Sequence, residues 1–292
     1  MRRWFAALAC LAALAGCSGG LPEGVDGDLT NRWDAPPQAS AWRPLSGWCF
    51  DEAQPTASPD DYAPISCDER HLTQTYHVGD LDGAAAKSSA DQGTPSPSQL
   101  AAYRECSRRA DDYVHGRWRT GWLAIHPVLP DRAGWAGGAR WFRCDIGEAD
   151  ADGDLVARTG SLYAAMDNAD FRLACFNPAI EDDNVTEMTT VDCAKPHHAE
   201  FAGLWTAPKM SRDNLGTSPA LAKGCLSTIA RYAKVPDDSM MKYRTGWLGF
   251  PGSDLAWSAG DRSVQCFLWL SGETMTGSYR GAGPGKLRIH YA

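Results

Sequence analysis

Apolar residues recur at helical spacing in two places along this chain. In the first, Leu100, Tyr103, Cys106, Ala110, Tyr113 and Val114 fall on one face, the spacing that lays an apolar stripe along an α-helix. Ser96-Pro97-Ser98-Gln99 precedes it with an N-cap serine, a proline at the first helical position and a glutamine for a capping box. Gly116 follows as a stop. In the second, Leu221, Cys225, Ile229 and Tyr232 share a face, Ser218-Pro219 opens the helix and Pro236 bars its extension. The run Val264-Gln265-Cys266-Phe267-Leu268-Trp269-Leu270 predicts a strand, and after the turn Ser271-Gly272-Glu273 the segment Met275–Tyr279 is expected to return as a hairpin. Trp141–Ile146 and Leu155–Leu162, joined by an acidic loop, form the matching pair. With strands near the earlier cysteines, each half reads β-β-α-β-β. The predicted class is α+β: two similar small domains, residues 46–165 and 170–282, each a helix packed on a small antiparallel sheet.

The cysteines give the two halves a common plan. Cys49, Cys67, Cys106 and Cys144 are followed by Cys175, Cys193, Cys225 and Cys266, and the first two of each set are 18 apart. Each first cysteine precedes a phenylalanine, a histidine sits four residues after each second (His71, His197), and a tyrosine seven after each third (Tyr113, Tyr232). A tryptophan lies nine before each fourth (Trp135, Trp257), and Thr-Gly-Ser follows at Thr159–Ser161 and Thr276–Ser278. The tetrapeptide RTGW occurs in both halves, at Arg119–Trp122 and Arg244–Trp247. Features in one shared order read as a tandem duplication. Four cysteines per half admit three internal pairings; first with second and third with fourth is the pairing expected, giving two disulfides per half.

The N-terminus fixes the compartment in which such bridges form. Arg2 and Arg3 precede the apolar stretch Trp4–Ala15, which is too short to span a bilayer. It ends in Leu14-Ala15-Gly16-Cys17, which resembles a bacterial lipobox. Residues 1–16 are therefore read as a signal peptide, Cys17 as the lipidated residue, and 17–45, rich in Gly, Pro and Asp, as a tether. Two acyl chains anchor stably where one does not, so the expected location is the extracytoplasmic face of the cell membrane. An exported chain favours disulfides over zinc, and no CxxC occurs. Without residues 1–16 the chain has 26 basic against 36 acidic residues, a net of −10, which argues against a nucleic-acid partner.

The second half also carries a family likeness. Cys193, Pro196, His197, Glu200, Cys225, Tyr232, Trp257, Gly260-Asp261-Arg262, Val264, Cys266 and Gly277-Ser278 resemble the septum-formation-related domain of actinobacterial secreted proteins and lipoproteins. The first half matches more loosely, with CDERHLTQ at Cys67–Gln74 and GWAGGARWFRC at Gly134–Cys144. The resemblance implies an envelope protein linked to septation and brings no catalytic residues with it.

Candidate chemistry is sparse. His197 and Glu200 could serve as an acid–base pair or, with His198, as metal ligands. HExxH is absent, however, and the first half keeps His71 while placing Gln74 where Glu200 aligns. A fold role is therefore expected, with no metal and no cofactor. Asp150–Asp154 lacks the glycine and the glutamate of a calcium loop and reads as a hairpin turn. Asn184-Val185-Thr186 matches a glycosylation sequon, read as noise in a bacterial lipoprotein. No G-x-S-x-G elbow occurs. Arg119, Trp122, Arg244 and Trp247 place cations beside aromatic rings, a pattern that can grip a sugar or an anion. The expected function is that of a non-catalytic envelope lipoprotein, an interaction module linked to septum formation with envelope or division proteins as partners. A peptidoglycan- or glycan-binding protein is the first alternative, and a hydrolase using His197 and Glu200 the second.

Overall fold

In the first half, β1 (Cys49–Phe50), β2 (Thr56–Ala57) and β3 (Thr73–Asp80) precede helix α1 (Pro97–Tyr113). Then come β4 (Leu123–Pro130), the short helix α2 (Arg132–Ala136), β5 (Trp141–Ala149) and β6 (Leu155–Val156). The second half runs β7 (Cys175–Glu181), β8 (Asn184–Val191), β9 (Ala199–Thr206), α3 (Arg212–Gly216), α4 (Pro219–Ala233), β10 (Gly246–Pro251), α5 (Asp254–Ser258) and β11 (Ser263–Trp269). This computed structural model describes residues 41–88, 95–150, 153–182 and 184–290.

Two sheets result, with one strand order at their centres. The first is β1-β3-β5-β4-β2 and the second β10-β11-β9-β7-β8. Read from the first cysteine strand, β1-β3-β5-β4 matches β7-β9-β11-β10. Each sheet carries its long helix on one face, because alternation in the strand turns Phe142, Cys144 and Ile146 toward α1. The disulfides lock this packing: Cys106 joins Cys144 and Cys225 joins Cys266, helix to central strand. Cys49–Cys67 and Cys175–Cys193 close the 18-residue loops. The capping box of α1 forms as its sequence requires, Ser96 accepting from the Gln99 N–H and Gln99 accepting from the Ser96 N–H.

Two expectations need correction. Met275–Tyr279 is not a strand; Met275 makes a single bridge to His197. The reason is topological, since β11 already has β10 on one side and β9 on the other, leaving no edge for a returning hairpin. In the first half β6 survives only as Leu155–Val156, pairing with Glu148 and Ala149 beyond the end of β3. The strand each half needs in place of the hairpin starts at the RTGW region, as β4 and β10.

The folded body also extends past the ranges read from the sequence. Trp42 packs edge-on to Trp141, and the Trp141 indole N–H donates to the Trp42 carbonyl at 2.8 Å. Leu287 is fully buried beside Met275 and Tyr279. The halves touch through named contacts: Ala256 of α5 and Ala259 just after it lie in the core of α1, and Arg104 donates to the Ala259 carbonyl at 2.9 Å.

Candidate functional site

His197 precedes β9 and Glu200 lies at its start, where the Cys193 loop meets the sheet. Both are 0% exposed. His197 Nε2 lies 2.9 Å from Glu200 Oε1, and Nδ1 lies 2.8 Å from the Lys195 carbonyl. The other carboxylate contacts are donors. Tyr232 gives its hydroxyl to Oε2 at 2.7 Å, the Tyr279 N–H donates at 2.9 Å, and Ser278 donates at 3.3 Å. Burial, with the adjacent Glu200 carboxylate adding to it, pushes the Tyr232 phenol up to about 12. A buried carboxylate is tolerable only when so saturated. The cluster thereby ties the loop, helix α4 and the Thr276–Ser278 turn to one another.

The first half builds the same place with an amide. His71 Nδ1 lies 2.8 Å from the Glu69 carbonyl, matching His197. Gln74 Oε1 accepts the Leu162 N–H at 2.9 Å, and its amide donates to Ser161 at 3.1 Å. Tyr113 meets Ser161 at 3.3 Å. Because Gln74 spends its polar atoms on that turn, His71 Nε2 is buried with no partner among the described residues.

The one cluster of metal-ligand type among the described residues is Cys175, His197 and Glu200. Cys175 is bonded to Cys193, so no thiolate is on offer, and the two remaining groups already face each other. The donor set does not fit a metal centre. His198 lies apart from the pair, its Nδ1 3.1 Å from the Leu270 and Glu273 carbonyls.

The four RTGW residues do not meet. Pro127 lies opposite Cys144 and Gly249 opposite Cys266, so equivalent strand residues are 122 apart, whereas the tetrapeptides are 125 apart. The three-residue offset puts their tryptophans on opposite faces. Trp247 lies in β10 and packs on the core of α4, while Trp122 sits before β4 and meets Phe176 of the second half edge-on at 5.3 Å. Arg119 pairs with Asp261 across the halves, Nε to Oδ2 at 2.5 Å, and its guanidinium lies over the Trp118 ring. Arg244 is buried and donates to the Leu287 carbonyl at 2.8 Å. All four are used inside the fold.

One polar group escaped the sequence reading. Arg143 and Asp145 form a buried pair at 2.7 Å on the face of the first sheet away from α1. Thr75 donates to Asp145 at 2.7 Å, and the guanidinium covers the Phe50 ring. Burial raises the Asp145 carboxyl, with Arg143 and Thr75 opposing. The signal was present: Arg143 and Asp145 flank Cys144 at the two-residue period of a strand, so both share the face opposite the disulfide.

Cys17 lies outside the described residues. No helix among the described residues is long and apolar enough to cross a membrane. Compared with known proteins, residues 46–266 match a family model described as septum formation, in one span from before Cys49 to Cys266. No curated protein and no solved structure matches the chain.

Proposed function

Because this chain belongs to the septum-formation family, we propose that it is a non-catalytic interaction module of the cell envelope, acting in septum formation. In this reading Cys17 carries the lipid that holds it to the extracytoplasmic face of the membrane, and its partners are envelope or division proteins. The two halves descend from one duplicated unit, a view supported by their common strand order and disulfide pattern.

The observation that carries the non-catalytic reading is the state of the would-be acid–base pair. His197 and Glu200 are fully buried, and Glu200 is held by donors on both oxygens. A general base must come within hydrogen-bond reach of a substrate proton, and this one is enclosed by its own fold. A fusion that fluoresces outside the cytoplasm tests the cellular part: enrichment at division sites is expected, with loss from the membrane fraction in Cys17→Ala. Uniform distribution around the cell would count against the septal role. A hydrolase reading predicts that His197→Ala destroys an activity and spares the fold; the module reading predicts that it damages the fold.

A further inference from the structure

The described residues of the two halves enclose a cleft of 660 Å³. Its walls include β4 from Leu123 to Pro127, Gln54 and Arg119 on one side, and Phe250–Ser253 with Gln265 on the other. A second hollow of 340 Å³ shares Leu123, Ala124, Phe250 and Gln265 and continues past Trp122.

Along this cleft β4 has a strand on only one side. Residues 123–128 pair with β5, and β2 joins the other edge only at Leu129 and Pro130. The alternation of backbone groups follows from two bonds. The Ala149 N–H donates to the Trp122 carbonyl, on the β5 side, and the Leu129 N–H donates to the Pro55 carbonyl, on the other. Even-numbered residues therefore face β5, while Leu123, Ile125 and Pro127 turn their backbone groups to the open edge. Pro127 brings no N–H, in keeping with the confinement of strand prolines to edges. What remains is donors at Leu123 and Ile125 and acceptors at all three residues. Among the described residues no hydrogen bond reaches them from the cleft side.

We infer that this cleft binds an extended peptide segment of a partner protein by strand addition to β4. A peptide main chain presents alternating donors and acceptors at the spacing this edge requires, and five residues of edge span about 17 Å. Charge narrows the peptide class. The walls of the larger cleft carry no carboxylate, and their one arginine, Arg119, is already paired with Asp261, so neither sign of charge finds a free partner there. The favoured segment is therefore uncharged, because a charge buried there would go unpaired. A saccharide is the poorer fit, because stacking needs an open ring face. The Trp118 ring is covered by the Arg119 guanidinium at 4.4 Å, and its indole N–H donates to Ser107. The inference rests on the interaction-module reading for there being a protein partner, and adds where and how it binds.

The test uses the purified mature chain and a display library of random linear peptides of about twelve residues, long enough to cover the edge. Enrichment of sequences poor in charged residues of either sign is expected. A synthetic copy of an enriched peptide should slow amide exchange at Leu123 and Ile125, and Ala124→Trp, which fills the cleft, should weaken it about tenfold or more. Gln54→Trp narrows the cleft from a loop and replaces Ala124→Trp if that variant does not fold. No enrichment over bare support, binding indifferent to both variants, or unchanged exchange at Leu123 and Ile125 would each overturn the inference. So would a chitin oligosaccharide that protects those two amides where no peptide does. A fusion spread evenly over the cell would remove the septal role and leave this site standing.

Discussion

Glu200 and Gln74 occupy corresponding places and show how one residue changes what a cluster can hold. Glu200 accepts from Tyr232, Ser278 and the Tyr279 N–H while facing His197. Glu200→Gln puts an NH2 among donors and leaves at least one of them unpaired, which costs about 3 kcal/mol. The expected fall in the thermal midpoint is on the order of 10 °C, read by circular dichroism. Phenols add a pH signature. Burial raises Tyr76, Tyr103 and Tyr232 above the usual value of 10.0, Tyr232 to about 12. Above pH 10 the unfolded chain ionises these three phenols while the folded one keeps them protonated. Stability is therefore complete below that pH and is lost as pH climbs toward and through the folded values. Chemical denaturation at a series of alkaline pH values should show the midpoint dropping from about pH 10 upward, with the tyrosinate absorbance of the buried phenols appearing only on unfolding; the full tyrosinate absorbance of the unfolded chain appearing in the folded state would contradict this. The enclosure of His197 could be anticipated from the first half, where His71 persists beside Gln74. The orphaned His71 Nε2 could not, because it depends on which way the Gln74 amide turns.

At the scale of elements, caps and cysteine spacing carried the most information. Both long helices begin at their serine caps, since those residues satisfy backbone donors locally and need no tertiary partner. β4 and β10 were missed for the opposite reason. Pro127 and His126 interrupt one and Gly249 and Pro251 the other, so neither shows a clean strand alternation; tertiary pairing makes them strands. RTGW was misleading in detail, because a three-residue shift in register is invisible without the sheet. The bridges differ in loop length, which gives an ordering. In the chain-entropy model, removing Cys106–Cys144, a 38-residue span, costs about 4 kcal/mol, and removing Cys49–Cys67, an 18-residue span, about 3. Denaturant midpoints of the two double Cys→Ala variants should fall in that order, and the helix bridge should cost more still through the core it holds.

The whole molecule depends on contacts between halves that sequence reading could not supply, because they join residues far apart in the chain. Arg119 pairs with Asp261, and Gln265 donates to the Arg119 carbonyl at 2.8 Å. The pair is mostly shielded, at 13% and 18% side-chain exposure, so it should resist salt better than a surface pair. A double-mutant cycle of Arg119→Ala and Asp261→Ala is expected to give a coupling of about 1–3 kcal/mol; additivity would mean that this pair does not help to hold the halves together. The central claim, that the residues resembling catalytic groups are sealed into the fold, has a direct test in histidine modification. Native protein is treated briefly with diethylpyrocarbonate and its peptides are weighed. The exposed His115 and His290 should carry adducts, while His71 and His197, at 1% and 0% exposure, stay unmodified until the chain is unfolded. An adduct on His197 forming as fast as that on His115 would contradict the account.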